Sequence, residues 1–167
     1  MAGHQTVTMA DVRAAFDALG LTDVQTVLQS GNVVFRTPPG KRSNLAGSIE
    51  SALRERLGLV ADAFVRSGDD LRQIVARNPF ADAAERDPAR FVLILLKDAP
   101  PASALSKLQA AIVRRETVRA DGPHLYAIYP DGQGRSKLTT ALIERTLATR
   151  ATARNWNTIR RLLTLTS

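Results

Sequence analysis

The stretch FVLILLK, residues 91–97, sets six apolar residues in a row before a single lysine. A run this short and this uniformly apolar predicts a central β-strand covered on at least one face. It falls far short of the roughly 20 residues that a membrane-spanning helix needs. Downstream, ASALSKLQAAI (102–112) carries a helical pattern. ETVRADGPHLYAIYP (116–130) reads as a hairpin turning near Asp121-Gly122. SKLTTALIERTLA (136–148) follows as a helix with Leu138, Leu142 and Ile143 inward, and ATARNWNTIRRLL (151–163) as a closing helix. The second half therefore reads β-α-β-β-α plus a final helix.

Upstream, ERDPAR (85–90) is a polar loop and the candidate domain boundary. Before it, DDLRQIVAR (69–77) predicts a bridging helix capped by Ser67 and ending ahead of Asn78-Pro79. TMADVRAAFDALG (8–20) predicts a first helix, with Thr8 and Asp11 at capping-box spacing and Gly20 as the stop. VQTVLQSGNVVFRT (24–37) gives two β-prone runs around Gly31-Asn32, a two-residue hairpin signal. NLAGSIESALRERLG (44–58) is a second amphipathic helix ended by Gly58, and VADAFVR (60–66) reads as a strand.

The first half thus reads α-β-β-α-β and shares a helix–hairpin–helix grammar with the second. The fold class expected is α+β, as two ferredoxin-like (α-β plait) subdomains in tandem, the first lacking its opening strand. Residues 1–83 form the first subdomain with the bridging helix, and residues 84–167 the second with the C-terminal helix. A plait places its opening strand centrally, so the missing strand points to a truncated start. Otherwise its unpaired neighbours offer an edge for a partner strand or a homo-oligomer.

Composition narrows the function classes. The 167 residues are 44% apolar and 23% charged, ordinary for a folded globular protein. There is no cysteine, which excludes disulfides, thiolate zinc sites and a cysteine nucleophile. MAGHQTV at the start shows no basic-then-apolar signal segment, so a cytoplasmic protein without membrane association is expected. The formal net charge of +7 is lopsided. Residues 1–83 carry nine Lys/Arg and nine Asp/Glu, whereas residues 84–167 carry fourteen against seven. This asymmetry marks an anionic partner; the nineteen arginines against four lysines are also what a GC-rich coding bias produces without any function.

The candidate site lies in YPDGQGRSKLTT, residues 129–140. Gly132 and Gly134 permit positive φ and close backbone approach. Ser136 is read as the cap of the helix that follows, whose free N–H groups and positive dipole end would face an anion. Arg135 and Lys137 sit at that same end, where cations are unfavourable by about 0.3–1 kcal/mol each, a penalty that a bound anion would relieve. The glycine spacing is not that of a Walker P-loop, and no cofactor is implied. In the last helix, Trp156, Ile159 and Leu163 share one face, and Arg154, Asn157, Thr158 and Arg161 share the other. The Trp face is core packing. The other face is either a solvated stripe or a second contributor to the anion site.

These segments carry a resemblance. YPDGQGRSKLT and ATARNWNT, with TMADVRAAFDALGLTDVQTVLQSGNVVF and the NPF at 78–80, resemble the bacterial family catalogued as domain of unknown function 1697. The family's motif positions fall on Gln29, Ser30, Gly31 and Asn32, on Tyr129 to Gly132 and Gly134 to Leu138, and on Arg154 to Thr158. The resemblance implies two tandem ferredoxin-like subdomains and a candidate surface, with no reaction attached. Family members usually open with a strand like YVALLRGINVGG, of which this chain keeps only MAGHQTV, and Val27 stands where an aromatic residue is common.

Catalytic signals are sparse. His4 and His124 are too few and too separated for a metal cluster, and Asp69-Asp70 is explained by helix capping. Ser30 and Ser136 lack a nucleophile-elbow context or an evident base. Three readings follow. The first is a module binding a phosphate-bearing or other anionic ligand through Gly132, Gly134, Arg135, Ser136, Lys137, Arg154, Asn155 and Asn157, a nucleotide, phosphorylated metabolite or RNA backbone being the ligand classes. The second is a structural or oligomeric interaction domain in which these motifs lock the two subdomains, with Arg154 pairing Asp131. The third is a hydrolase or transferase built on Ser136 and Lys137. Only 5% of residues are aromatic, which weakens the nucleic-acid version.

Overall fold

The structure is a computed structural model that describes residues 7–27, 31–40 and 43–166. It is an α+β fold with two antiparallel sheets, and the chain divides into two compact units, Met1–Val65 and Arg66–Ser167. The helix read from the sequence as a bridge belongs with the second of these.

In the first unit, α1 (Met9–Ala18) starts with the capping box foreseen: Thr8 Oγ1 accepts from Asp11 N–H at 3.1 Å, and Asp11 accepts from Thr8 N–H at 3.0 Å. β1 (Thr22–Val27) and β2 (Asn32–Arg36) pair antiparallel, and α2 (Leu45–Leu57) ends on Gly58 in the left-handed region. Their apolar faces meet in one cluster around Ala15, Phe16, Leu21, Ile49 and Leu53, with Phe16 edge-on to Phe35.

Three sequence expectations meet different outcomes here. Val27 pairs with Asn32, so Asn32 opens the strand instead of sitting in the turn. Gly31 does adopt φ 83°, while Gln29 and Ser30 lie outside the described residues, as does the segment 1–6 that bears on the opening strand. VADAFVR, expected as a strand, carries no strand assignment among the described residues, and the Ala63 N–H donates to the Glu50 carboxylate at 2.8 Å.

The second unit begins with α3 (Gly68–Ala76), whose Ser67 cap and Asp70 form a second capping box. α4 (Ala81–Arg86) and a short 3-10 turn (Pro88–Arg90) occupy much of what the sequence marked as loop. Then follow β3 (Phe91–Leu96), α5 (Ala102–Ala111), β4 (Thr117–Asp121), β5 (His124–Ile128), α6 (Thr140–Leu147), β6 (Ala151–Asn155) and α7 (Trp156–Leu165). The strands lie in the order β4-β5-β3-β6, every pair antiparallel. From β3 onward the connectivity is β-α-β-β-α-β, that of a plait.

β3 is buried at all six positions and sits between β5 and β6, as its composition requires. Val92, Ile94 and Leu96 point to one face and pack with Leu108 of α5 and Ile143 and Leu147 of α6. Phe91, Leu93 and Leu95 alternate to the other face. There Phe91 meets Trp156 of α7 edge-on at 5.0 Å, and Tyr126, opposite Leu93, donates its hydroxyl to the Ile74 carbonyl of α3 at 2.8 Å. Helices therefore cover both faces of the sheet.

The largest departure from the sequence reading is at the C-terminus. ATARN is β6, the outermost of the described strands of its sheet, and the last helix begins only at Trp156 with Asn155 as its cap. Asn155 Oδ1 accepts from Thr158 N–H at 3.0 Å, which ends the strand and starts the helix within one residue.

Candidate functional site

The loop after β5 is built from its buried ends inward. Tyr129 is 1% exposed, and its hydroxyl donates to the Leu138 carbonyl at 2.9 Å, fixing the two ends of the loop together. Burial, with the negative charge of Glu116 nearby, pushes the Tyr129 phenol up to about 12, so it serves as a permanent donor. Gly132 adopts φ 86°, a conformation that costs an L-residue, whereas Gly134 stays out of that region. Of the two glycines, only Gly132 is demanded by the backbone.

Ser136 does not cap α6. That helix starts four residues later at Thr140, and Thr139 Oγ1 accepts from Leu142 N–H at 3.1 Å. Ser136 instead donates to Glu116 Oε1 at 2.6 Å and accepts from Leu138 N–H at 3.0 Å. The other oxygen of Glu116, Oε2, is buried with no hydrogen-bond partner among the described residues. The helix-dipole basis of the predicted anion site is thereby removed: no helix N-terminus opens at Ser136.

What the loop does form is a cavity of about 300 Å³ lined by Arg114, Glu116, Tyr129, Asp131, Gly132, Arg135 and Ser136. Arg114 and Glu116 come from the segment leading into β4; the sequence reading places Glu116 only at the start of the hairpin and attaches no expectation to Arg114. Around the cavity, Arg115 pairs with Asp131 at 2.6 Å, and Arg90 donates to the Pro130 carbonyl at 2.7 Å. The hydrogen bond from Arg115, with the charges of Arg115, Arg114 and Arg90, holds the Asp131 carboxyl below its usual range. Four arginines thus surround one short loop.

Of the eight predicted ligand residues, the cavity brings together Gly132, Arg135 and Ser136. Gly134 and Lys137 are exposed on the same loop without lining it. Arg154, Asn155 and Asn157 are elsewhere. Arg154 lies on β6 opposite Leu93, which directs it to the α3/α7 face of the sheet, away from the face where Tyr129 and Leu138 pack. Its guanidinium donates to Thr152 Oγ1 at 2.7 Å and to the Ala153 carbonyl at 2.9 Å, and burial lowers its pKa. Asp131 takes Arg115 as its partner, not Arg154 as the locking hypothesis required. Asn155 is spent on capping, Asn157 is exposed on α7, and Thr158 is buried rather than part of a polar stripe.

Comparison with known proteins places the chain. The pattern of a family described as "Protein of unknown function (DUF1697)" matches residues 1–126, three quarters of the sequence. The chain belongs to the DUF1697 family. The matched region of this DUF1697 protein ends at Tyr126, just before the loop that forms the cavity. No curated protein matches. Among solved structures, a conserved bacterial protein from Streptococcus pneumoniae superposes with a TM-score of 0.75 at 18% identity, covering 99% of this chain and 92% of that one. At that identity the likeness shows the fold alone. No helix among the described residues is long and apolar enough to cross a membrane.

Proposed function

We propose that the second unit is a binding module for a small anion-bearing ligand, seated in the cavity between Gly132 and Ser136 and held by Arg114 and Arg135. The observation that carries this reading is that Arg114 and Arg135 line the same cavity, with Arg115 bonded to Asp131 of that lining and Arg90 to the adjacent Pro130 carbonyl. Guanidinium forks match phosphate and carboxylate oxygens in geometry as well as in charge. About 300 Å³ is at the small end of ligand-site volumes, sized for inorganic phosphate or a small phosphomonoester. Glu116 and Asp131 in the same lining offset part of the positive charge, which favours a ligand whose anionic group is accompanied by hydroxyl or amino donors.

A polynucleotide fits less well. Base stacking on a plait uses aromatic side chains exposed on the sheet, and Phe91, Tyr126 and Tyr129 are all buried under helices. The structural reading draws on the internal bonds of the loop, since Ser136, Tyr129 and Arg90 each secure it to its neighbours. An enzymatic reading draws on Glu116, which supplies the proton acceptor a serine nucleophile would need at 2.6 Å.

Thermal unfolding in increasing inorganic phosphate separates these. Phosphate should raise the melting temperature of the wild type, and the rise should vanish in Arg114→Ala/Arg135→Ala without a large change in the ligand-free value. A melting temperature indifferent to phosphate, or a rise that survives the double substitution, sinks the binding reading. A large ligand-free loss in Ser136→Ala supports the structural one, and turnover of a phosphorylated or acylated substrate that vanishes in Ser136→Ala supports the enzymatic one.

A further inference from the structure

Arg66, the residue at which the second unit begins, sends its side chain to the sheet that follows it. Its Nε–H donates to His124 Nε2 at 2.9 Å, and Nη2 donates to the Leu96 carbonyl at 3.3 Å. A guanidinium has only donors, so Nε2 of His124 must be the acceptor, and the neutral imidazole carries its proton on Nδ1. His124 is the first residue of β5, paired with Leu95 on one side and Asp121 on the other, which fixes the ring's position against the sheet. The bond is part-buried. It joins the segment entering α3 to a strand 58 residues further along the chain.

We propose that Arg66 and His124 form an acid-released latch: at neutral pH the imidazole accepts the Arg66 bond, and protonation of His124 breaks it. A protonated ring turns Nε2 into a donor facing a donor and sets two cations side by side. The Leu96 carbonyl does not titrate, so that contact remains as a pivot. The charged groups around His124 are Arg66, Asp70 and Arg77 from the α3 side and Asp121 from its own hairpin. Burial and then Arg66 oppose charging of the ring, Asp121 and Asp70 favour it, and Arg77 opposes it; the balance lowers the His124 pKa. Arg77 is itself engaged with Asp121 at 2.9 Å, which weakens that acid as a rescuer of the imidazolium.

The test is a nuclear magnetic resonance titration of the full chain between about pH 5 and 8, the window in which histidine changes charge. Replacing His4 by Ala leaves His124 as the sole imidazole. The ring of His124 and the Nε–H of Arg66 should shift with one common midpoint, below the ordinary histidine value. In His124→Gln, whose amide oxygen accepts without titrating, the Arg66 signal should stay flat. Should that variant not fold, Arg66→Gln gives a second reading, with the His124 midpoint moving upward once the neighbouring charge is gone. An Arg66 signal that ignores pH in the wild type, one that moves equally in His124→Gln, or a midpoint unmoved in Arg66→Gln overturns the latch.

Discussion

At the residue scale, the loop turns on which groups are buried and which backbone angles are forced. Gly132 and Gly134 look alike in the sequence, yet only Gly132 stands at positive φ, with nothing near the place a Cβ would occupy. Gly132→Ala should therefore destabilise by about 1–2 kcal/mol through backbone strain, while Gly134→Ala should be close to neutral. Chemical denaturation of the two variants checks this pair directly. Tyr126→Phe leaves the Ile74 carbonyl unpaired in a buried setting and should cost about 1–3 kcal/mol by the same measurement. His124 adds a pH dependence of definite sign. The folded chain holds its ring less basic than the unfolded chain does, so the unfolded state binds more protons below about pH 6.5. The stability it contributes is complete above that pH and is lost as the solution is acidified, and a His124→Gln variant should lose less over the same range.

At the element scale, caps decide where helices begin, and they explain both the accurate boundaries and the missed ones. Thr8 and Ser67 each have an acid three residues on, and both capping boxes are legible because the pattern is local. The start of α6 is not legible in that way. Ser136 and Thr139 are both acceptable caps; the Ser136 hydroxyl, held by the sequence-distant Glu116, accepts from Leu138 N–H only two residues on, whereas Thr139 accepts from Leu142 N–H at cap spacing. Thr139→Ala should therefore weaken α6 by about 1 kcal/mol, while Ser136→Ala should leave its helicity intact and loosen the preceding loop instead. Circular dichroism with amide exchange along 139–147 distinguishes the two. The β6/α7 boundary had a signal that periodicity obscured. Asn155 is a strong capping residue directly before Trp156, and the β-α-β-β-α order calls for one more strand ahead of it. Reading ATARN as helix placed Arg154 beside Asn157, when alternation along a strand sends it to the α3/α7 face.

At the scale of the whole molecule, the fold class and the hairpins were available from composition and turn chemistry, whereas the cavity was not. Its lining draws on residues 114–116 and 129–136, brought together by the pairing of β4 with β5, and no local pattern joins Arg114 to Arg135. The second unit holds a four-stranded sheet with helices on both faces and a buried apolar cluster under α5 and α6, so a fragment of residues 66–167 should unfold cooperatively on its own. Dispersed amide resonances and a sigmoidal urea transition are the outcome expected; a featureless spectrum would show that this core depends on the rest of the chain.

The position of β3 in that sheet has a consequence during synthesis. Its FVLILL segment leaves the ribosome early, but one of its two flanking strands, β6, spans Ala151–Asn155, so about 55 more residues must be polymerised before that side can close. Nascent chains would carry an uncovered, strongly adhesive ribbon for several seconds at ordinary elongation rates. Chaperone demand for this protein should accordingly fall on that interval, and codon changes that slow translation between positions 97 and 150 should lower the yield of native material.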